Sequence, residues 1–267
     1  MLREKHYVID AHCHVYPAKI AAAAVSATDA FYGVTSCLDG STEALRRQMA
    51  ETGVDHALIQ SVATTPRQVG SINRFIAETV RANTCFTGLG TLHPDSADQA
   101  ADVAEILRLG LKGVKLHPDI QRFQVDDPRC LKIYELCQQE GLVILMHTGD
   151  SRYDNSNPNR LLPVLKSFPD LTLIGGHLGG YSIWDEASRA LAGLPNFYVD
   201  TSSSIDVLGV EKAGEIILRY GFDHVLFGTD YPMFRAKTEL NHLLQMGFTD
   251  AQYEQIFSGN AKRLFAL

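Results

Sequence analysis

His12 and His14 stand two residues apart in Ile9-Asp10-Ala11-His12-Cys13-His14, so on an extended chain both imidazoles leave the same side. Such a pair can grip one ion, and it can equally form a hydrogen-bonded couple in a core. His93, His117, His147 and His177 fall with them at or just past the C-terminal ends of β-rich runs, making six of the ten histidines. Strand ends are roughly a tenth of an α/β barrel, so about one histidine would land there by chance. Asp230, in Phe227-Gly228-Thr229-Asp230-Tyr231-Pro232, adds a carboxylate at the mouth of the last run, where it is costly unless paired or metal-bound. Imidazole nitrogens with a carboxylate oxygen suit zinc or a similar divalent ion. Lys115 and His117 also share a side of one run. The lysine reads equally as an ion-pair partner, a clamp for a substrate anion, or a carbamylated metal bridge.

The elements that must hold these groups are legible as eight apolar or β-branched runs, at 7–13, 56–62, 86–92, 112–117, 142–147, 171–177, 197–201 and 224–229. Helix-length segments alternate with them. Eight such units predict an α/β fold, a single-domain (β/α)8 TIM barrel over residues 1–267. Nearly continuous apolar runs are what parallel strands covered on both faces require. Ser96 with Gln99, and Thr249 with Gln252, have the spacing of a reciprocal helix cap. Pro128 after Asp127 marks another helix start, and Gly53, Gly110, Gly141 and Gly221 are expected as left-handed helix ends. The stretch from about Ala18 to Asp39 carries no assignment. An open doubly wound sheet is the alternative fold, but it needs a glycine-rich phosphate turn after the first strand. Gly175-Gly176-His177-Leu178-Gly179-Gly180 encloses a histidine and lacks that fingerprint.

The chain has 267 residues, 31 acidic against 24 basic, for a formal charge of -7. That balance argues against nucleic acid and membrane surfaces as partners, and 45% hydrophobic residues argue against disorder. Met1 to His6 is charged and lacks an apolar segment, so no signal peptide is expected. The strongest apolar run, Leu142 to Met146, is far too short to span a bilayer. Five scattered cysteines with no CxxC pair suggest reduced thiols and a cytoplasmic protein. Cys13 should point away from its histidine neighbours, and Cys130 and Cys137, seven apart on one helix face, read as core.

The ordered set of His12-Cys13-His14, Gly113-Val114-Lys115-Leu116-His117-Pro118, Met146-His147-Thr148-Gly149, Gly176-His177-Leu178-Gly179-Gly180, Gly228-Thr229-Asp230 and Gly259-Asn260-Ala261-Lys262-Arg263 resembles the amidohydrolase superfamily. More narrowly it is similar to the branch that includes aminocarboxymuconate-semialdehyde decarboxylase. The resemblance implies a (β/α)8 barrel with one divalent metal ion, zinc by preference, held by His12, His14, His147 and Asp230. It gives His177 the role of orienting or deprotonating a metal-bound water, or of a direct ligand as in other branches. Lys115 falls where binuclear relatives carry a carbamylated lysine. A homodimer is implied by resemblance only.

Three functions are then open. The first is a metal-dependent hydrolase acting on an amide, ester or lactone of a small polar molecule, with His177 and Asp230 as catalytic groups. The second keeps the metal site for non-oxidative decarboxylation of a small unsaturated carboxylic acid. The third is a non-catalytic binding barrel, whose signature would be a missing ligand, and all four are present. Lys115, His117 and Tyr153 are the expected substrate contacts. Arg152 in the long polar loop from Asp150 to Arg160, together with Tyr16, His93, Arg122, Trp184 and Ser202 to Ser204, are weaker candidates.

Overall fold

The structure is a computed structural model that describes residues 6–267, so the expectation for Met1 to Lys5 lies outside the described residues. Eight strand positions follow the eight runs. They are β1 (Ile9–His14), β2 (His56–Gln60), β3 (Phe86–Gly88 and Gly90–Thr91, interrupted at Leu89), β4 (Gly113–Leu116), β5 (Val143–Met146), β6 (Leu173–Gly175), β7 (Phe197–Asp200) and β8 (Val225–Leu226). Each pairs in parallel with the next, from Ile9 opposite His56 round to Val199 opposite Val225. Backbone bonds from Ala11 N to Phe227 O and His14 N to Tyr231 O, 2.8 and 2.7 Å, close the ring between β8 and β1. Two cores result. Ile9, Ala11, Leu58, Leu145, Ile174 and Leu226 fill the barrel interior, while Val114, Leu116, Ile144 and Met146 face the helices. The period-2 alternation of β4 therefore turns Lys115 inward, as β5 turns Leu145 inward.

Strand β1 departs from simple alternation. Ile9 and Ala11 belong to the inner core but Cys13 to the outer one, and the register with β2 shifts between Asp10 and Cys13. The irregularity re-aims the strand end, so that His12 and His14 both line the cavity at the barrel mouth.

The α-helices are α1 (Ala18–Tyr32), α2 (Thr42–Thr52), α3 (Val69–Ala82), α4 (Gln99–Arg108), α5 (Pro118–Gln121), α6 (Pro128–Gln139), α7 (Pro158–Ser167), α8 (Trp184–Leu191), α9 (Ile205–Leu208), α10 (Val210–Tyr220), α11 (Ala236–Leu244), α12 (Asp250–Glu254) and α13 (Asn260–Phe265). The unassigned stretch is thus largely helix α1. It shows no strong apolar stripe because it buries only Ala21 and Val25, lying over the barrel mouth with its polar and apolar residues mixed.

The Asp127 and Thr249 caps form as expected. The Ser96 box does not. Asp98 caps α4, accepting from Ala101 N at 2.9 Å, while Ser96 Oγ bonds Asp102 and Gln99 reaches Pro94 O. A carboxylate two residues closer to the free N–H groups takes the position. Gly53, Gly110 and Gly141 adopt positive φ at helix ends. Gly221 does too, but with ψ at 142°, so it is extended past the helix rather than left-handed helical. Among the described residues no helix is long and apolar enough to cross a membrane.

Candidate metal centre

His12, His14, Lys115, His117, His147, His177 and Asp230 all line one cavity of about 630 Å³ at the C-terminal end of the barrel. That is the end where barrel active sites form, and the volume suits a small ligand. One nitrogen each from His12 and His14 and one oxygen of Asp230 lie within 4.8 Å of one another. His12 Nε2 is 3.2 Å from His14 Nε2, and Asp230 Oδ1 is 3.5 and 3.6 Å from the two. Asp230 is held by Ser203, whose hydroxyl donates to Oδ2 at 2.6 Å. Both Asp230 and His177 sit at φ of 61°, a left-handed backbone that side chains other than glycine rarely adopt. Strain of this kind persists only where the surroundings enforce it. Around His177 they do: Leu178 N bonds Asp200 O at 2.7 Å, and a Cβ on Gly180 would lie 2.3 Å from that of Ala187. The glycine-rich segment is therefore a close-packed turn that displays His177.

Protonation follows from the outer partners. His12 Nδ1 meets Asp200 Oδ2 at 2.8 Å, and a carboxylate only accepts, so the proton is on Nδ1 and Nε2 is bare. Lys115 Nζ lies 2.9 Å from that bare nitrogen. His177 Nδ1 faces the Ser202 carbonyl at 3.2 Å, which likewise leaves its Nε2 bare and directed at His147 Nδ1, 2.9 Å away. Burial pushes His14 and His147 well below the ordinary imidazole range, and His177 down to about 4. Burial lowers Lys115 to about 8, against the pull of Asp200 and Asp230. Burial alone would raise the carboxyl of Asp230, but His12, His177 and His14 hold it well below its usual range. Burial thus favours the uncharged imidazoles of His14, His147 and His177 beside an ionised Asp230 carboxylate, with Nε2 of His12 turned inward. That donor set fits a divalent cation.

His147 joins the group through a chain of rings rather than through the tight trio. It stacks on His117 at 4.1 Å and 7°, and His177 stacks on His12 at 5.2 Å. Tyr32, at the end of α1, was not anticipated. Ile120 N donates to His117 Nδ1 at 3.4 Å, so His117 carries its proton on Nε2 and gives it to the Tyr32 oxygen at 2.7 Å. The tyrosine's own proton is then free for His147 Nδ1, 3.4 Å away, or for a ligand. No sequence spacing links α1 to β4 and β5, which is why Tyr32 escaped notice.

Several expected contacts fall elsewhere. Tyr153 is 40% exposed, does not line the cavity and stacks on Phe31 at 5.9 Å, so the expectation of a substrate contact there is corrected. Its place on an outer loop, behind α1, is the reason. Arg152 is ion-paired with Asp150 at 2.7 Å and lies over Phe31 and Tyr32, fastening α1 to the β5 loop. Ser202 and Ser203 spend their hydroxyls on Asp200 and Asp230, and Ser204 takes the Trp184 indole N–H at 3.1 Å. His93 accepts from Asp95 N in a turn outside the cavity, whereas Tyr16 and Arg122 line it. Cys13, Cys130 and Cys137 are buried in the outer core.

Histidines and an aspartate thus converge at the strand ends of the barrel. The amidohydrolase family's model matches residues 9–267, and the chain belongs to that family. A curated relative, 2-amino-3-carboxymuconate-6-semialdehyde decarboxylase of Dictyostelium discoideum, is 28% identical over 106 residues. That match covers 39% of this chain and 30% of the relative's length. Among solved structures, an uncharacterised TIM-barrel protein from Bordetella bronchiseptica is 24% identical with a TM-score of 0.76, covering 97% of this chain and 98% of that one. The 5-carboxyvanillate decarboxylase of Sphingomonas paucimobilis gives 20% and 0.71 over 98% and 99%. A dihydroxybenzoic acid decarboxylase from a Polaromonas species, with bound manganese, gives 18% and 0.71 over 98% and 97%. At these identities the structural likeness establishes the TIM-barrel fold.

Proposed function

We propose that the protein is a divalent-metal-dependent, non-oxidative decarboxylase of a small unsaturated or aromatic carboxylic acid. For unsaturated acids this was the second of the sequence-based readings; aromatic acids are added on the similarity to the carboxyvanillate and dihydroxybenzoic acid decarboxylases. Three of the four similar proteins described above are decarboxylases, which supports decarboxylation over hydrolysis. The observation that carries the reading is the convergence of His12, His14 and Asp230 in one cavity with neighbouring imidazoles.

His12, His14 and Asp230 would hold the ion, with His147 Nδ1 as the fourth donor. The ion, when bound, supplies positive charge for the substrate's carboxylate and an adjacent oxygen. Manganese has the support of a similar structure, and zinc suits the donor types equally. Decarboxylation breaks the carbon–carboxylate bond, releases carbon dioxide and leaves an electron pair on carbon that takes up one proton. The Tyr32 hydroxyl is positioned to hold that proton beside the cavity, and the bare Nε2 of His177 is an acceptor for it nearby. Lys115 and His117 are the remaining polar contacts for the acid, and Ile20, Val25, Ile72 and Phe75 give its carbon skeleton an apolar wall.

The test is direct. Protein loaded with manganese or zinc is given 2,6-dihydroxybenzoate, 5-carboxyvanillate and dienoic acids, and carbon dioxide release is followed alongside hydrolysis of esters and lactones. Release that a chelator abolishes and added metal restores is expected. Metal-dependent hydrolysis without carbon dioxide would return the protein to the first sequence-based reading.

A further inference from the structure

Two of the inward-facing imidazoles have their tautomer fixed by an acceptor on the outer nitrogen. Asp200 does this for His12, at 2.8 Å, and the Ser202 carbonyl does it for His177, at 3.2 Å. The outer nitrogen of His147, Nε2, is buried and has no hydrogen-bond partner among the described residues. Asp119 Oδ2 is 3.5 Å away, and it too is buried and without a partner. Two complementary orphan atoms facing each other in a closed space are a bond waiting to shorten by roughly half an ångström.

The carboxylate is built into place. Asp119 lies in α5, whose end is anchored by Gln121 Nε2 donating to the carbonyls of Ala63 and Leu92 at 2.9 and 2.8 Å. Its other oxygen, Oδ1, accepts from Asn155 Nδ2 at 2.8 Å. Asp119, His147 and Asp150 together could suggest a second cation site, since one donor atom of each lies within 4.8 Å. Asp150, however, already gives both oxygens to the Arg152 guanidinium, at 3.0 and 2.7 Å. What is left is an acceptor facing a ring nitrogen.

We infer that Asp119 is the positioning residue of His147. It accepts the Nε2 proton and so presents Nδ1, bare, to the metal centre. Bare Nδ1 of His147 then lies 2.9 Å from bare Nε2 of His177, a juxtaposition of lone pairs that needs a shared proton or a cation between the rings. The inference rests on the metal-dependent reading of the site, and its test has one readout independent of that reading.

The first readout is metal affinity, from competition of manganese and zinc with a chromophoric chelator. Asp119→Ala is expected to lower affinity by roughly 10–100-fold at unchanged stoichiometry, and Asp119→Asn, which keeps an accepting oxygen, to recover part of it. The second is the imidazole nitrogen-15 spectrum of the metal-free protein, with His147 assigned by the signal lost in His147→Gln. Wild type should show the Nε2–H tautomer, and Asp119→Ala a mixture or the Nδ1–H form. Unchanged affinity with an unchanged tautomer overturns the inference, as does loss of one bound ion at undiminished affinity for the other. Wild-type protein that takes up no ion but shows the locked tautomer would instead overturn the metal-dependent function and leave the role of Asp119 standing.

Discussion

Asp200 decides which nitrogen of His12 is bare. Its Oδ1 accepts from His177 N at 3.1 Å, Ser202 N at 3.1 Å and the Ser202 hydroxyl, while Oδ2 accepts from His12 Nδ1 alone. An asparagine there must point its amide NH2 at one of these sets, and the single contact to His12 is the weaker to lose. Nδ1 would then have to accept, the ring proton would move to Nε2, and the lone pair at the centre would vanish. Asp200→Asn is therefore expected to lower metal retention and turnover by roughly 10–100-fold with little change in unfolding midpoint; metal content after dialysis, beside a urea curve, checks it. Tyr32→Phe acts differently because it removes a proton rather than a ligand. Its expected signature is a kcat lowered by about 100-fold, with metal content intact, measured on whichever acid releases carbon dioxide.

Among the elements, the strands were the most readable, because a parallel strand covered on both faces must be apolar throughout. His12, His14, His147, His177 and Asp230 stood out since each interrupts or ends such a run. Helix α1 was not readable: with only Ala21 and Val25 buried, its 15 residues leave no stripe to detect. Tyr32 and Asp119 were missed for a related reason. Their partners lie on other strands, and ring-to-ring distances have no one-dimensional trace. The bulge in β1 is equally silent in sequence, although it brings His12 and His14 to the same cavity as the later strands. The start of α4 shows how finely local signals compete. Ser96 and Asp98 are both good caps, and the structure uses Asp98. Asp98→Ala should consequently cost about 1 kcal/mol in urea unfolding, and Ser96→Ala distinctly less, since its hydroxyl binds only Asp102. Equal losses would place the helix start two residues earlier.

At the level of the whole molecule, closure of the ring brings Asp10, Asp206 and Asp230 within electrostatic reach of Glu239. Glu239, on α11, is completely buried, and neither carboxylate oxygen has a hydrogen-bond partner among the described residues. Burial, followed by the charges of Asp206, Asp10 and Asp230, pushes its carboxyl from the usual 4.5 up to about 8. The folded barrel therefore holds a proton that the unfolded chain releases above about pH 4.5. The stability contributed by neutral Glu239 is complete below that pH and drains away as pH rises through about 8. Over this window one proton changes stability by roughly 1.4 kcal/mol per pH unit. The histidines of the metal centre are pushed the other way, so their contribution changes below about 6.5 and is separable. Glu239→Gln removes the ionisation while keeping the shape. In denaturant unfolding between pH 6.5 and 8.5, the wild type should lose stability relative to the variant by roughly 2 kcal/mol, with the curves parallel above about 8.5. Curves parallel across the whole range would mean that Glu239 is already ionised in the fold and that a cation or ordered water shields it.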